Sequence, residues 1–282
     1  MLSPEVRARL SKLTRSKAPP GLNGPATGRP SPVRWQATDR AAASPPCALD
    51  NGREVTNRCG THWIIQESLV NLWPKCAATI EKYQPRLDHF RSSHTVHPDL
   101  AALARHFPSA TAFLDIESCG LGSAMVFLVG VVHTAGDQLV LTQLWARSYA
   151  EESAMLESLH YLLRTRSVLV TFNGKSFDWP VLRDRTTMHM REDTDGIAEL
   201  QHVDLLHHSR RRWKNELPNC KLQTLERYLC GRQRTGDIPG HEIPEVYQEY
   251  VRGGDETEVR NVLHHNALDL ITLLQLSLQI LE

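Results

Sequence analysis

Residues 112–118, Ala-Phe-Leu-Asp-Ile-Glu-Ser, limit the fold more than any other stretch: an apolar, strand-forming run that must also house two carboxylates, Asp115 and Glu117. Alternate side chains of a strand face the same side, so both acids project into one site. Two like charges held that close repel unless a cation or proton lies between them, which makes the pair a candidate seat for a hard divalent cation. An isolated Asp-x-Glu is more often a half-buried strand with its acids in water. The weight of the pair therefore rests on what the rest of the chain brings to it.

Around this run the pattern is that of an α/β domain. Residues 124–133 are apolar enough for a strand buried on both faces, Gly136-Asp137 turns the chain, and 138–145 alternate. Residues 151–165 carry Met155, Leu156, Leu159, Leu162 and Leu163 on one helical face, and 167–172 form a further buried strand. After it, Asn173-Gly174 makes a turn and Ser176 is a plausible N-cap, which places Asp178 in the first turn of a helix near the ends of the acid-bearing strand. An isolated Asp there would by default only complement the helix dipole. The Gly-x-Gly at 120–122 joins strand to strand, so it is weak grounds for a phosphate loop.

Residues 201–205 read as a short strand, followed by the basic run Arg210, Arg211, Arg212, Trp213 and Lys214. Its cations suit successive phosphates and Trp213 offers a ring for a base, although a solvated helix face fits equally well. Residues 222–229 form a helix that stops at Gly231, 232–240 a loop with Arg234 and Asp237, 243–251 another helix, and a last helix begins near Asp255. In that helix His265 and Asp269 are four residues apart, about 40° around the axis, whereas His264 lies about 140° from Asp269. A base beside a metal-binding carboxylate suits activation of water, although such a pair is commonly a surface pair.

With 32 basic and 32 acidic residues the chain is not a general polyanion binder, so any nucleic-acid site must be local. The apolar runs fall short of the roughly 20 residues a membrane helix needs. The first fifty residues are rich in Pro, Gly, Ala and Ser and biased to Arg and Lys, and read as a disordered tail (1–50). Residues 51–108 read as an extension packed on the main domain, 109–282. Within the extension Cys59 and His62 lack a second pair of ligands at zinc spacing. Six cysteines without CxxC pairing point to a reducing, cytoplasmic setting.

The order β-β-β-α-β and the ordered motifs resemble the DEDD exonuclease superfamily of the ribonuclease H-like fold, in its YprB-like branch. The resemblance runs from about 111 to 280 and rests on Phe-Asn-Gly-Lys-Ser-Phe-Asp-Trp-Pro (172–180), Val-Asp-Leu-Leu-His (203–207) and Leu-Gln-Thr-Leu-Glu (222–226), then on Arg-Thr-Gly-Asp-Ile-Pro-Gly (234–240) and His-Asn-Ala-Leu-Asp-Leu (265–270). It implies a ribonuclease H-like mixed β-sheet flanked by helices, and a metal-dependent 3′–5′ exonuclease. Asp115, Glu117 and Asp269 would hold two Mg²⁺ or Mn²⁺ ions, and Asp178 would join the second. The substrate would be a DNA or RNA end, single-stranded by expectation, gripped by Asn173, Lys175 and the 210–214 run. Compared with relatives, the loop at 120–123 is short. His264 has the spacing of the histidine subgroup, whereas His265, followed by Asn266, takes the place of the tyrosine in the other; helical geometry favours His265 as base. The competing class is a non-catalytic nucleic-acid-binding or scaffolding module on the same fold, which the intact four-acid set disfavours.

Overall fold

The computed structural model describes residues 49, 51–93, 95–120, 124–189 and 200–281. The tail expected over 1–50 lies outside these residues apart from Leu49, as do positions 121–123 of the shortened loop. The chain enters through β1 (Gly52–Asn57), β2 (Gly60–Ser68), the single turn α1 (Leu69–Leu72), α2 (Cys76–Ser92) and α3 (Pro98–His106). The strands β3 (Thr111–Ser118), β4 (Val126–Ala135) and β5 (Gln138–Trp145) follow, then α4 (Glu152–Leu163), β6 (Val168–Thr171), α5 (Asp178–His189) and β7 (Gln201–Asp204). The chain ends in α6 (Leu205–Trp213), the short α7 (Leu222–Leu225), α8 (Ile243–Gly253) and α9 (Val259–Gln279).

The strands make one mixed sheet in the order β1-β2-β5-β4-β3-β6-β7. Neighbours are antiparallel from β1 through β3, whereas β6 and β7 add parallel to β3, with α4 as the crossover a parallel neighbour requires. Residues 51–108 thus do more than pack on the domain: β2 pairs with β5 and lengthens its sheet. Helix α2 has no clear sequence signal, since only Cys76, Tyr83 and Leu87 of its residues are buried and Pro85 lies inside it. Helix α9 starts later than expected because Asp255 accepts the Thr257 amide at 2.9 Å and its hydroxyl at 2.6 Å, a local turn that competes with helix. No helix among the described residues is long and apolar enough to cross a membrane.

Both faces of the sheet are covered. Phe113, Val132, Leu141, Val170 and Val203 join a layer with α2, α3, α6 and the later turns of α9, and Ala112, Leu114, Val129, Val131 and Leu169 join one with α4 and α8. Alternation then puts Asp115 and Glu117 on the same face as Phe113, toward α9. Helix α9 reaches the sheet at Gly130, the residue opposite Asp115 on one side and Gln143 on the other. A Cβ there would lie 2.0 Å from Asn266 Oδ1 and 2.5 Å from Leu270 Cδ1. Only glycine permits so close an approach.

Gly130→Ala should therefore push α9 off the sheet and cost about 1–3 kcal/mol, read as a lower urea midpoint with an unchanged slope. A midpoint equal to wild type would show that the helix accommodates the methyl group.

Candidate active site

Three elements deliver the acids. Strand β3 presents Asp115 and Glu117, with the register slipping only after Glu117. Asp178 opens α5. It gets there through a tight turn in which Asn173 adopts the left-handed conformation, φ 67°. That turn is pinned by Asp204 at the end of β7. Asp204 Oδ1 accepts the amides of Asn173 at 2.7 Å and Leu206 at 3.0 Å, and Oδ2 accepts the Lys175 amide at 3.1 Å. This acid, 1% exposed, was missed as a site-shaping residue; its signal was its place just before a helix, where Asp is a favoured cap.

Helix α9 supplies Asp269 and, one turn earlier, His265. Between them and the sheet lies Asn266, whose Nδ2 donates to Asp115 Oδ2 at 2.9 Å and to the Asp115 carbonyl at 3.3 Å, while its Oδ1 accepts from Gln143 Nε2 at 3.0 Å. The loop after Gly231 contributes two further groups. Arg234 pairs with Asp269, with Glu226 Oε2 at 2.6 Å and with Asp237 Oδ2 at 3.0 Å. Asp237 Oδ1 lies 3.0 Å from His265 Nδ1, and His265 Nε2 is 3.5 Å from Asp269 Oδ2. His265 is 7% exposed. His264 is exposed and lines a cavity of about 340 Å³ beside Ile65, Gln66 and Leu141, which none of the four acids lines.

The acids feel one another. Burial, then the charges of Asp269, Glu117 and Asp178, push the Asp115 carboxyl well above its ordinary range, against the Asn266 hydrogen bond. Glu117 is raised by burial and then by Asp269, Asp178 and Asp237. Burial lifts Asp178 to about 7 although the amides of Asp178 and Ile116 oppose it. Asp269 is raised by burial against the pull of Arg234. The donor set is all oxygen, which suits hard divalent cations such as Mg²⁺ or Mn²⁺, with Asp115, Glu117, Asp178 and Asp269 as the residues that would hold them.

Among the other expected residues, Arg210, Arg211, Arg212 and Lys214 are exposed along α6 and its end, and Lys175 is exposed with Nζ 3.9 Å from Asp99. Asn173 is half-buried within its turn. Trp213 corrects the sequence reading: it is 6% exposed and packed in the core, with the Arg212 guanidinium 5.8 Å from its ring, so it offers no free face to a base. His62 is likewise a satisfied core residue, its ring 3.0 Å from the Trp63 carbonyl and 2.7 Å from Ser158 Oγ. Among the described residues, the three potential ligands whose atoms lie within 4.8 Å of one another are His97, Asp99 and His208, and no three of the four acids come that close. Asp99 is already met there by His208 Nε2 at 3.3 Å and by Lys175.

A mixed five-strand core with β-β-β-α-β-α-β order, carrying acids on its first strand beneath a C-terminal helix, defines the ribonuclease H-like class. The model of the RNase_H superfamily matches residues 112–280, more than half of the chain, and the chain belongs to that superfamily. It is 34% identical over 167 residues to the uncharacterised YprB protein of Bacillus subtilis (strain 168), a match that takes in 58% of this chain and 40% of that protein. The chain thus aligns with less than half of that relative. Two solved structures are similar at lower levels. One is a family B DNA polymerase from the archaeon Pyrobaculum calidifontis, at TM-score 0.49, 18% identity and coverage of 62% of this chain and 25% of the other. The second is a product-bound exonuclease I, at TM-score 0.36, 12% identity and coverage of 56% and 46%.

For a carboxyl raised on folding, stability is greatest below its unfolded pKa and is lost as pH rises through the folded value. In EDTA the melting temperature should therefore fall between about pH 4 and 7 as Asp178 ionises, and Asp178→Asn should flatten that fall. Mn²⁺ at about 100 times its Kd should add about 2.7 kcal/mol at pH 8. A metal-free slope unaffected by Asp178→Asn, or melting indifferent to millimolar Mn²⁺, would contradict the electrostatics of the cluster.

Proposed function

We propose that this chain is a metal-dependent nuclease, a phosphodiester hydrolase of the DEDD 3′–5′ exonuclease type acting on a single-stranded end of DNA or RNA. The observation that carries this reading is the convergence of four acids from β3, α5 and α9, with His265 one turn from Asp269 and the acids' charges mutually felt. In this reading Asp115, Glu117 and Asp269 hold two Mg²⁺ or Mn²⁺ ions, joined by Asp178. Such ions, when bound, supply Lewis-acid stabilisation of phosphate charge and lower the pKa of water toward about 7.

The chain's own groups have distinct tasks. Asn266 fixes the Asp115 carboxylate through its Oδ2. His265 takes the proton of the attacking water through Nε2, the ring nitrogen turned toward Asp269. The exposed cations Arg210, Arg211, Arg212 and Lys214, with Lys175 and Asn173 beside the Asp178 turn, track the phosphates. A pure binder gains nothing from concentrating negative charge where phosphates must come.

End-labelled DNA and RNA, single- and double-stranded, incubated with Mg²⁺, Mn²⁺ or EDTA, test the reading. Expected are stepwise shortening from the 3′ end with metal, none with EDTA, and none with Asp115→Asn. His265→Ala should lower turnover by about 10²–10⁴-fold and His264→Ala far less. Intact substrate under every metal condition would leave the binding module as the better account; a more damaging His264→Ala would make that residue the base.

The basic run is tested separately. Replacing Arg210, Arg211 and Arg212 together by Ala should flatten the salt dependence of nucleic-acid binding, by up to about 0.7 in log–log slope per lost contact on a single strand, with metal binding kept. An unchanged slope would return these residues to the role of a solvated helix face.

A further inference from the structure

The loop between Gly231 and α8 carries a carboxylate, Asp237, that the four-acid scheme does not use. We infer that Asp237 is the positioning residue of His265, holding its imidazole in the tautomer protonated at Nδ1 so that Nε2 stays free to accept a proton. The assignment rests on the proposed role of His265 as base.

The geometry supports it from both ends. Asp237 Oδ1 lies 3.0 Å from His265 Nδ1. A carboxylate is an acceptor only, so the hydrogen bond places a proton on Nδ1, and Nε2, on the opposite side of the ring, lies 3.5 Å from Asp269 Oδ2. With the ring nearly enclosed, rotation away from this partner would cost packing as well as a hydrogen bond. The second oxygen of Asp237 is also engaged: Oδ2 accepts from Arg234 Nη1 at 3.0 Å. Arg234 is itself clamped by Glu226, which is 1% exposed and whose other oxygen accepts from Arg232 Nη1 at 2.8 Å and from the Thr272 hydroxyl at 3.0 Å. Asp237 is therefore fixed before any substrate arrives, by a chain of bonds anchored in α9 and in the wide turn of Glu226–Cys230.

A merely structural Asp237 would hold the loop through Arg234 alone, and the imidazole would be indifferent to it. The two roles separate in three measurements. ¹⁵N spectra of the histidine rings of the intact, metal-free protein, with His265 assigned by loss of its signals in His265→Ala, should show the Nδ1-protonated tautomer. In Asp237→Asn the ring should move toward the Nε2-protonated form or a mixture. Turnover of Asp237→Asn should fall by a large part of the His265→Ala factor, about 10²–10⁴, with KM and Mn²⁺ affinity kept. In the His265→Ala background, Asp237→Asn should cost nothing more, because a residue acting through another has no effect once that one is gone. Asp237→Glu, which keeps an acceptor-only group, should recover part of the turnover.

An unchanged tautomer in Asp237→Asn, or additive losses in the double variant, would overturn the assignment. The tautomer is readable even if the protein cleaves no nucleic acid, so a failure of the nuclease reading and a failure of the Asp237 assignment give different results. Should Asp237→Asn fail to fold, Arg234→Lys serves instead: it loosens Asp237 without removing its charge. The assignment then predicts a partial shift of the same ring, and an unmoved ring in that folded variant refutes it.

Discussion

Everything at this site depends on how closely α9 lies against the sheet. Asp269 and His265 are about 150 residues from Asp115 in sequence, and one amide side chain, Asn266, joins the two regions across a separation of 151 residues. The contact exists because Gly130 has no side chain. The row Asp115, Gly130, Gln143 crosses three strands, and the absent Cβ in its middle is the space that Asn266 occupies. Each such hydrogen bond is worth about 0.5–1.5 kcal/mol net, yet leaving one buried partner unpaired costs more than that. Asn266 and Gln143 are buried and satisfy each other, so the junction holds as a unit.

The charges form a second layer of dependence. A buried ion network is weak grounds for stability, because desolvation offsets most of its Coulomb energy. The cluster of Glu226, Arg232, Arg234, Asp237 and Asp269 is therefore better understood by what it positions than by what it adds to stability. Glu226 faces inward from a turn wider than an α-helix, and that geometry sets its carboxylate between two arginines and Thr272. The loop after Gly231, which has no regular structure, is registered on α9 by charge-assisted hydrogen bonds in place of a ladder.

Where periodicity is local, the sequence was readable. The three strands β3 to β5, the apolar stripe of α4 and the helical angle that separates His265 from His264 all follow from spacing alone. The joining of β2 to β5 did not, since strand pairing over some eighty residues leaves no local pattern. Asp204 and Asp237 look in sequence like any cap or loop acid, and only the fold shows that they meet the backbone of the Asp178 turn and the ring of His265. Trp213 failed in the opposite direction: a tryptophan among arginines suggests an exposed stacking ring, but its place on the inner face of α6 puts it in the core.

The site is also unequal along its length, and this bears on what it would hold. At the Asp269 end the paired Arg234 lowers the cost of the negative charge. At the other end Asp115 has one neutral donor, Asn266, and the influences on Glu117 beyond burial are all carboxylates. The protein has thus supplied its own counter-charge to one side of the cluster and withheld it from the other. Packed elements hold Asp115, Glu117 and Asp178 together against their repulsion, and a rigid sheet and helix can do so where a loop would splay. The side without counter-charge is where a cation from solution would gain most in electrostatic energy. It is also the side formed by β3 and α5, the elements whose positions the Gly130 junction and the Asp204 turn determine.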